Sequence, residues 1–146
     1  MSRLIALDHG ARRIGVAVAD LETGMAFARR ALQRRNLDHD LALVRELCTS
    51  EGVEQVVIGL PLNMDGTEGL QAAAVRAFGA RLAELGLDVT YEDERLSSWE
   101  AAERLEASGR RPERGSGELD STAARVILQQ YLDARHRPGP PAEETE

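Results

Sequence analysis

Carboxylates stand at three separated places in this chain, each beside apolar residues. Asp8 follows the run Leu4-Ile5-Ala6-Leu7, Glu92-Asp93-Glu94 follows Val89-Thr90-Tyr91, and Asp120 precedes the apolar positions Ala123, Ala124, Ile127 and Leu128. Acids packed together repel one another and raise their own pKa values unless a cation intervenes. Hard oxygen ligands without a His/Cys cluster suit Mg2+ or Mn2+ rather than zinc. Two such ions close together activate a water, steady a leaving oxygen and orient a phosphodiester. The chain supplies the acids for that chemistry. Physics alone does not make nucleic acid the substrate.

Whether these acids meet depends on the elements that carry them. Residues 3–7 and 14–19 read as strands joined by a turn containing Gly10. A third extended segment, 26–32, follows Glu22-Thr23-Gly24, which is the spacing of an antiparallel meander. Leu37, Leu41, Val44 and Leu47 recur at helical spacing, with Asn36 or Asp38 as a cap and a stop near Gly52. Residues 53–59 form a compact β-branched run, as in a strand buried on both faces. A loop over 60–66 leads to a helix from about Thr67 to Leu85, closed by Gly86, and 87–91 is another strand. Ser97-Ser98-Trp99-Glu100 is a capping box, opening a helix that ends near Ser108-Gly109. Residues 110–117, rich in Arg, Gly and Pro, read as a mobile loop before a last helix carrying Ala124, Ile127, Leu128, Tyr131 and Leu132. The order β-β-β-α-β-α-β-α-α predicts an α/β fold, a mixed sheet with helices on its faces.

Ligand sites in open α/β sheets lie beyond the carboxyl ends of parallel strands. The strands at 3–7, 53–59 and 87–91 should run parallel, and their ends deliver Asp8, the loop with Asn63 and Asp65, and Glu92-Asp93-Glu94. A single strand-end acid is more commonly a turn residue. Two strands ending in acids at one sheet edge weaken that explanation. Asp120 has two readings. It is an N-cap, or it lies in the first turn, four residues before Ala124 and seven before Ile127. In the second case it is aimed at the sheet, where a carboxylate is costly unless it meets a cation. The second reading is preferred.

The chain has 146 residues, 42% hydrophobic and 29% charged, which suits one globular domain with its own core. No apolar run approaches the ~20 residues that cross a bilayer, and no basic-then-apolar leader is visible, so a cytoplasmic protein is expected. The single cysteine, Cys48, excludes an internal disulfide and a multi-cysteine zinc site, and reads as a small buried hydrophobe. A net charge of −7 argues against nucleic acid, whose binding is driven by cations. Yet all 18 basic residues are arginine and many are clustered: Arg12-Arg13, Arg29-Arg30, Arg34-Arg35, Arg110-Arg111 with Arg114, and Arg135 with Arg137. Local fields steer ligands whatever the net charge. Residues 1–137 are expected to form the domain and 138–146 a disordered acidic tail.

Four blocks then narrow the reading. They are Leu7-Asp8-His9-Gly10-Ala11-Arg12-Arg13-Ile14-Gly15-Val16-Ala17, Val57-Ile58-Gly59-Leu60-Pro61-Leu62-Asn63-Met64-Asp65-Gly66, Asp93-Glu94-Arg95-Leu96-Ser97-Ser98 and Asp120-Ser121-Thr122-Ala123-Ala124. In this order, and across nearly the whole chain except the tail, they resemble the YqgF/RuvX family, a bacterial branch of the RNase H-like nuclease superfamily. The resemblance implies a five-stranded RNase H-like mixed sheet, its second strand antiparallel, with helices on both faces. It implies a metal-ion phosphodiesterase using Mg2+ or Mn2+, two ions being expected. Asp8 would be the first-strand acid, Asp120 the last-helix acid, and the middle acid lies in Asp93-Glu94. Glu94 is preferred as the ligand, with Asp93 holding the loop or binding through water. Members are described as maturing the 5′ end of precursor 16S ribosomal RNA, and, by similarity to the RuvC resolvases, as Holliday-junction resolvases.

The expected activity is therefore a nuclease of structured precursor RNA, with a junction-resolving or other DNA nuclease as the alternative. A third option is a non-catalytic ribosome-assembly or transcription factor; acids facing phosphate speak against it. Arg12 and Arg13, beside Asp8, either clamp a phosphate through two bonds each or form an exposed turn pair. Arg95 either contacts substrate or pairs with a neighbouring acid. Asn63 and Asp65 suit a turn, with Asn63 also a substrate contact. Arg110, Arg111 and Arg114 make either a phosphate-contacting flap or an exposed linker. His9 is weak evidence for catalysis, and Trp99 reads as packing. A monomer or a homodimer is expected; resolving a two-fold junction would need the dimer.

Overall fold

In the first strand, β1 (Arg3–His9), successive apolar side chains leave for opposite faces. Ile5 and Leu7 enter one buried cluster, and Leu4 and Ala6 enter another. This two-sided burial puts β1 in the middle of the sheet. The computed structural model describes residues 3–94 and 118–136, without the side chains of 118–120 and 136. Four further strands complete the sheet: β2 (Arg13–Asp20), β3 (Met25–Gln33), β4 (Gln55–Leu60) and β5 (Asp88–Asp93). Their spatial order is β3-β2-β1-β4-β5. β2 is antiparallel to both β1 and β3, whereas β1, β4 and β5 are parallel. The five-stranded mixed sheet with an antiparallel second strand is thus as the sequence predicts.

Helices cover both faces. α1 (Leu37–Glu51) and α2 (Leu70–Glu84) contribute Leu41, Val44, Cys48, Val75, Phe78 and Leu82 to the cluster holding Ile5 and Leu7. α3 (Glu118–His136) packs Ala124, Ile127, Leu128, Tyr131 and Leu132 on the other face. There the strands offer mostly small side chains, Ala6, Ala17, Ala19, Ala26 and Val57, which lets the helix axis come close. Asn36 caps α1 by accepting from the His39 N–H at 2.8 Å. Gly52 ends the helix at φ 68°, a left-handed conformation that glycine adopts without a Cβ penalty.

Most strand ends shift by one or two residues, β1 reaching His9 so that Asp8 lies within it, and three shifts have a visible local reason. α2 starts at Leu70 rather than Thr67, because Thr67 closes the preceding loop. Its N–H and hydroxyl donate to Asp65 Oδ1, and its carbonyl accepts from the Asn63 N–H at 2.8 Å. β4 starts at Gln55 rather than Val53, whose N–H donates to the Cys48 carbonyl at the end of α1. β5 continues past Tyr91 to Asp93, because Glu92 and Asp93 stay in register with Gly59 and Leu60. The expected helix at 97–109, the loop at 110–117 and the tail at 138–146 lie outside the described residues. Among the described residues no helix is long and apolar enough to cross a membrane.

Candidate active site

Alternation along β1 sends Asp8 to the face that carries α3, the face of Leu4 and Ala6. Glu94 stands one residue beyond β5, where its N–H donates to the Leu60 carbonyl at 3.2 Å. The two carboxyl groups meet across β4 and share a hydrogen bond, the protonated Glu94 donating to Asp8. Gly59 of β4 leaves the space for this. A Cβ there would lie 2.6 Å from Ile127 Cδ1 and 3.1 Å from Glu94 Oε2. Three parallel strands therefore deliver an acid, a missing side chain and a second acid to one point.

The electrostatics follow from that packing. Burial raises the pKa of Asp8 from its ordinary value, and the bond from Glu94 partly offsets this. Glu94 is pushed up to about 7 by burial first, then by the Asp8 charge, their hydrogen bond and the charge of Asp93. Two acids sharing a proton near neutrality is the state of such a pair without a cation. A divalent cation displaces the proton and lets both ionise, so the donor set fits an oxygen-preferring metal. Among the described residues no group of three or more His, Cys, Asp or Glu side chains is placed to hold a metal ion.

The third sequence candidate, Asp120, is the third residue of α3, inside the first turn rather than at its cap; its side chain lies outside the described residues. The turn that holds it is pinned by its neighbour. Ser121 is fully buried, and its Oγ accepts from the Val16 N–H at 3.0 Å. This occurs where the β2–β3 ladder shifts register between Ile14 and Val16, beside Gly15, the residue paired with Asp8. Farther along α3, Gln130 Nε2 donates to Glu92 Oε2 at 2.8 Å and to the Asp93 carbonyl at 3.4 Å. The acid row is thereby divided: Glu92 goes to Gln130, Glu94 goes to Asp8, and Asp93 is exposed.

Of the remaining candidates, the structure describes Arg12, Arg13, Asn63 and His9. Arg12 is exposed in the turn from β1 to β2, and Arg13 is exposed as the first residue of β2. Asn63 closes the loop after β4, its Nδ2 donating to Thr67 Oγ1 at 2.9 Å, so its turn role is visible. His9 goes to the face opposite Asp8, with its ring 4.7 Å from that of Phe78. Burial, and then the charge of Arg34, hold its pKa below the ordinary imidazole value. It packs as a neutral ring. Arg95, Arg110, Arg111 and Arg114 lie outside the described residues. Sequence reasoning missed Gly59, Ser121, Gln130 and the buried Asp40. Asp40 had a signal, since it precedes Val44 by one helical turn on the apolar face of α1.

Comparison with known proteins fits this arrangement. Residues 2–134 match the family described as RuvX, Holliday junction resolvase. A Synechococcus elongatus relative, named as a candidate pre-16S rRNA nuclease, is 43% identical over 92% of this chain and 91% of its own. An Anaeromyxobacter dehalogenans relative with the same name is 47% identical over 91% of this chain and 98% of its own. Among solved structures, Thermus thermophilus RuvC in complex with Holliday junction substrate superposes with a TM-score of 0.61 at 15% identity, over 92% of this chain and 96% of that one. The large terminase nuclease of phage G20c follows at a TM-score of 0.54 and 16% identity, over 89% of this chain and 81% of that one. These likenesses show a RuvC-like, RNase H-like fold. With a family match over nearly the whole described core and relatives above 40% identity, the chain belongs to the RuvX family.

Proposed function

We propose that the chain is a divalent-metal-dependent nuclease that processes the 5′ end of precursor 16S ribosomal RNA in the cytoplasm. The observation that carries this is the half-buried Asp8–Glu94 carboxyl pair at the carboxyl ends of parallel strands. The RNA substrate is suggested by the names of the relatives. Asp8 and Glu94 would hold the ion, Mg2+ or Mn2+, with Asp120 as the third ligand and room in the scheme for two ions. A bound ion of this kind supplies water activation and neutralises charge at the cleaved phosphate. The chain's own residues do the rest. β1 and β5 fix the two acids, Gln130 holds the end of β5, and Asp93 tunes Glu94 by its charge. Arg12 and Arg13, and outside the described residues Arg95, Arg110, Arg111 and Arg114, would contact substrate phosphates, with Asn63 at the loop after β4.

A second reading, cleavage of four-way DNA junctions, is favoured by the family's description. The two are separated by incubating wild type and Asp8→Asn with Mn2+ or Mg2+ on precursor RNA, single-stranded RNA and DNA, and a four-way junction. RNA cleavage by wild type that is lost in the variant is the expected result. Junction-only cleavage would move the substrate to DNA. Cleavage of none of them, with binding intact, would sink the enzymatic reading.

A further inference from the structure

Asp40 is 1% exposed in the first turn of α1, and both of its oxygens are used. Oδ2 accepts from Arg34 Nε at 3.0 Å, and Oδ1 accepts from the Arg35 N–H at 3.0 Å. The far end of the Arg34 guanidinium reaches the β1–β2 turn, where Nη1 donates to the Gly10 carbonyl at 2.7 Å. The Arg34 N–H donates to the Arg12 carbonyl at 3.0 Å, and the Gly10 N–H closes the turn on the Arg13 carbonyl at 2.9 Å. The turn is too tight for a side chain at Gly10, whose Cβ would lie 2.8 Å from Arg13 O. Arg34 thus holds both carbonyl groups that flank Ala11, two to four residues after Asp8: the guanidinium, anchored on the buried Asp40, takes that of Gly10, and the backbone N–H takes that of Arg12.

Such a pair is a weak source of stability, because desolvating two charges offsets most of their attraction. What its planar fork delivers is geometry. We propose that Arg34 and Asp40 are positioning residues for substrate: they fix the β1–β2 turn so that the exposed Arg12 and Arg13 meet phosphate beside Asp8. This rests on the reading of Arg12 and Arg13 as phosphate contacts, and the experiment separates the two claims. Binding of a labelled structured RNA is followed by fluorescence anisotropy, in chelator, over a range of salt concentrations. The proteins are wild type, Arg12→Ala/Arg13→Ala, Asp40→Asn, Arg34→Lys, and Arg34→Lys combined with Arg12→Ala/Arg13→Ala. Arg34→Lys leaves a charge for Asp40 but removes the fork, so it serves if Asp40→Asn does not fold.

Arg34→Lys is expected to weaken binding about tenfold and to flatten the slope of log K against log salt by about 1, as losing a phosphate contact does. Added to Arg12→Ala/Arg13→Ala, it should cost little more, because the groups it positions are gone. The stabilisation by Mn2+, read as the rise in Tm, should stay at the wild-type value. If Arg12→Ala/Arg13→Ala weakens binding while Arg34→Lys only lowers Tm, the pair is structural and the positioning claim is overturned. If Arg12→Ala/Arg13→Ala binds as wild type does, the phosphate reading of the turn fails and the proposal falls with it.

Discussion

Glu94 keeps its proton to about pH 7 because it is half-buried, then because it lies against the charge of Asp8 and feels that of Asp93. The sign of the consequence is fixed. In the unfolded chain the carboxyl titrates near its ordinary value of 4.5. Between about pH 4.5 and 7 the native state therefore binds more protons, and stability falls as pH rises. Asp8, also raised by burial, adds in the same sense. Glu94→Gln cannot ionise and still donates to Asp8. In chelator at pH 8 it should melt a few degrees above wild type, and the two should converge near pH 4, as read by thermal denaturation. Saturating Mn2+ should reverse the order, because a ligand bound to the native state alone stabilises it by about 2.7 kcal/mol at a hundredfold excess over Kd. Single acids were also where sequence was most and least informative. The register argument that set Asp120 against an apolar face applies equally to Asp40, whose cation is Arg34 rather than a metal. A carboxylate in line with a core signals a cation. It does not say which.

At the scale of elements, the site depends on how closely α3 lies over β1 and β4. Gly59→Ala places a methyl group against Ile127 and Glu94, the first of which is fully buried. It should cost about 1–3 kcal/mol, as overpacking does, and weaken Mn2+ binding through Glu94. Denaturant unfolding and a metal titration read the two effects separately. Ser121→Ala leaves the Val16 N–H buried without its acceptor, and should cost about 1–3 kcal/mol in the same unfolding assay. The strands were legible because alternation and β-branched runs record burial on two faces. Gly59 was not, since the need for an absent side chain arises from Ile127, far along the chain. The start of α2 was misplaced for a similar reason. Thr67 looks helical by pattern, but Asp65 and Asn63 hold it in the loop. An encounter of Asp8 with the acids after β5 was foreseeable from strand order, and the preference for Glu94 over Asp93 came from the family resemblance; that Glu94 is the one beside Asp8 while Asp93 is exposed shows only in the folded chain.

Over the whole molecule, a net charge of −7 coexists with clustered arginines. Binding of RNA should therefore be local and strongly salt-dependent. Two phosphate contacts predict roughly a tenfold loss of affinity between about 50 and 200 mM salt, and more if the arginines of residues 110–114 take part. Anisotropy at several salt concentrations measures it, and a flat response would remove phosphate from the interface. The family relationship accounts for the sheet and its order, but the claim that matters is chemical: Asp8 and Glu94 form the metal site. Calorimetric titration of Mn2+ at pH 8 into wild type, Asp8→Asn and Glu94→Gln tests it most directly. Wild type is predicted to bind, with affinity falling at least about tenfold in each variant. Equal affinity in all three would contradict a metal site built on this pair.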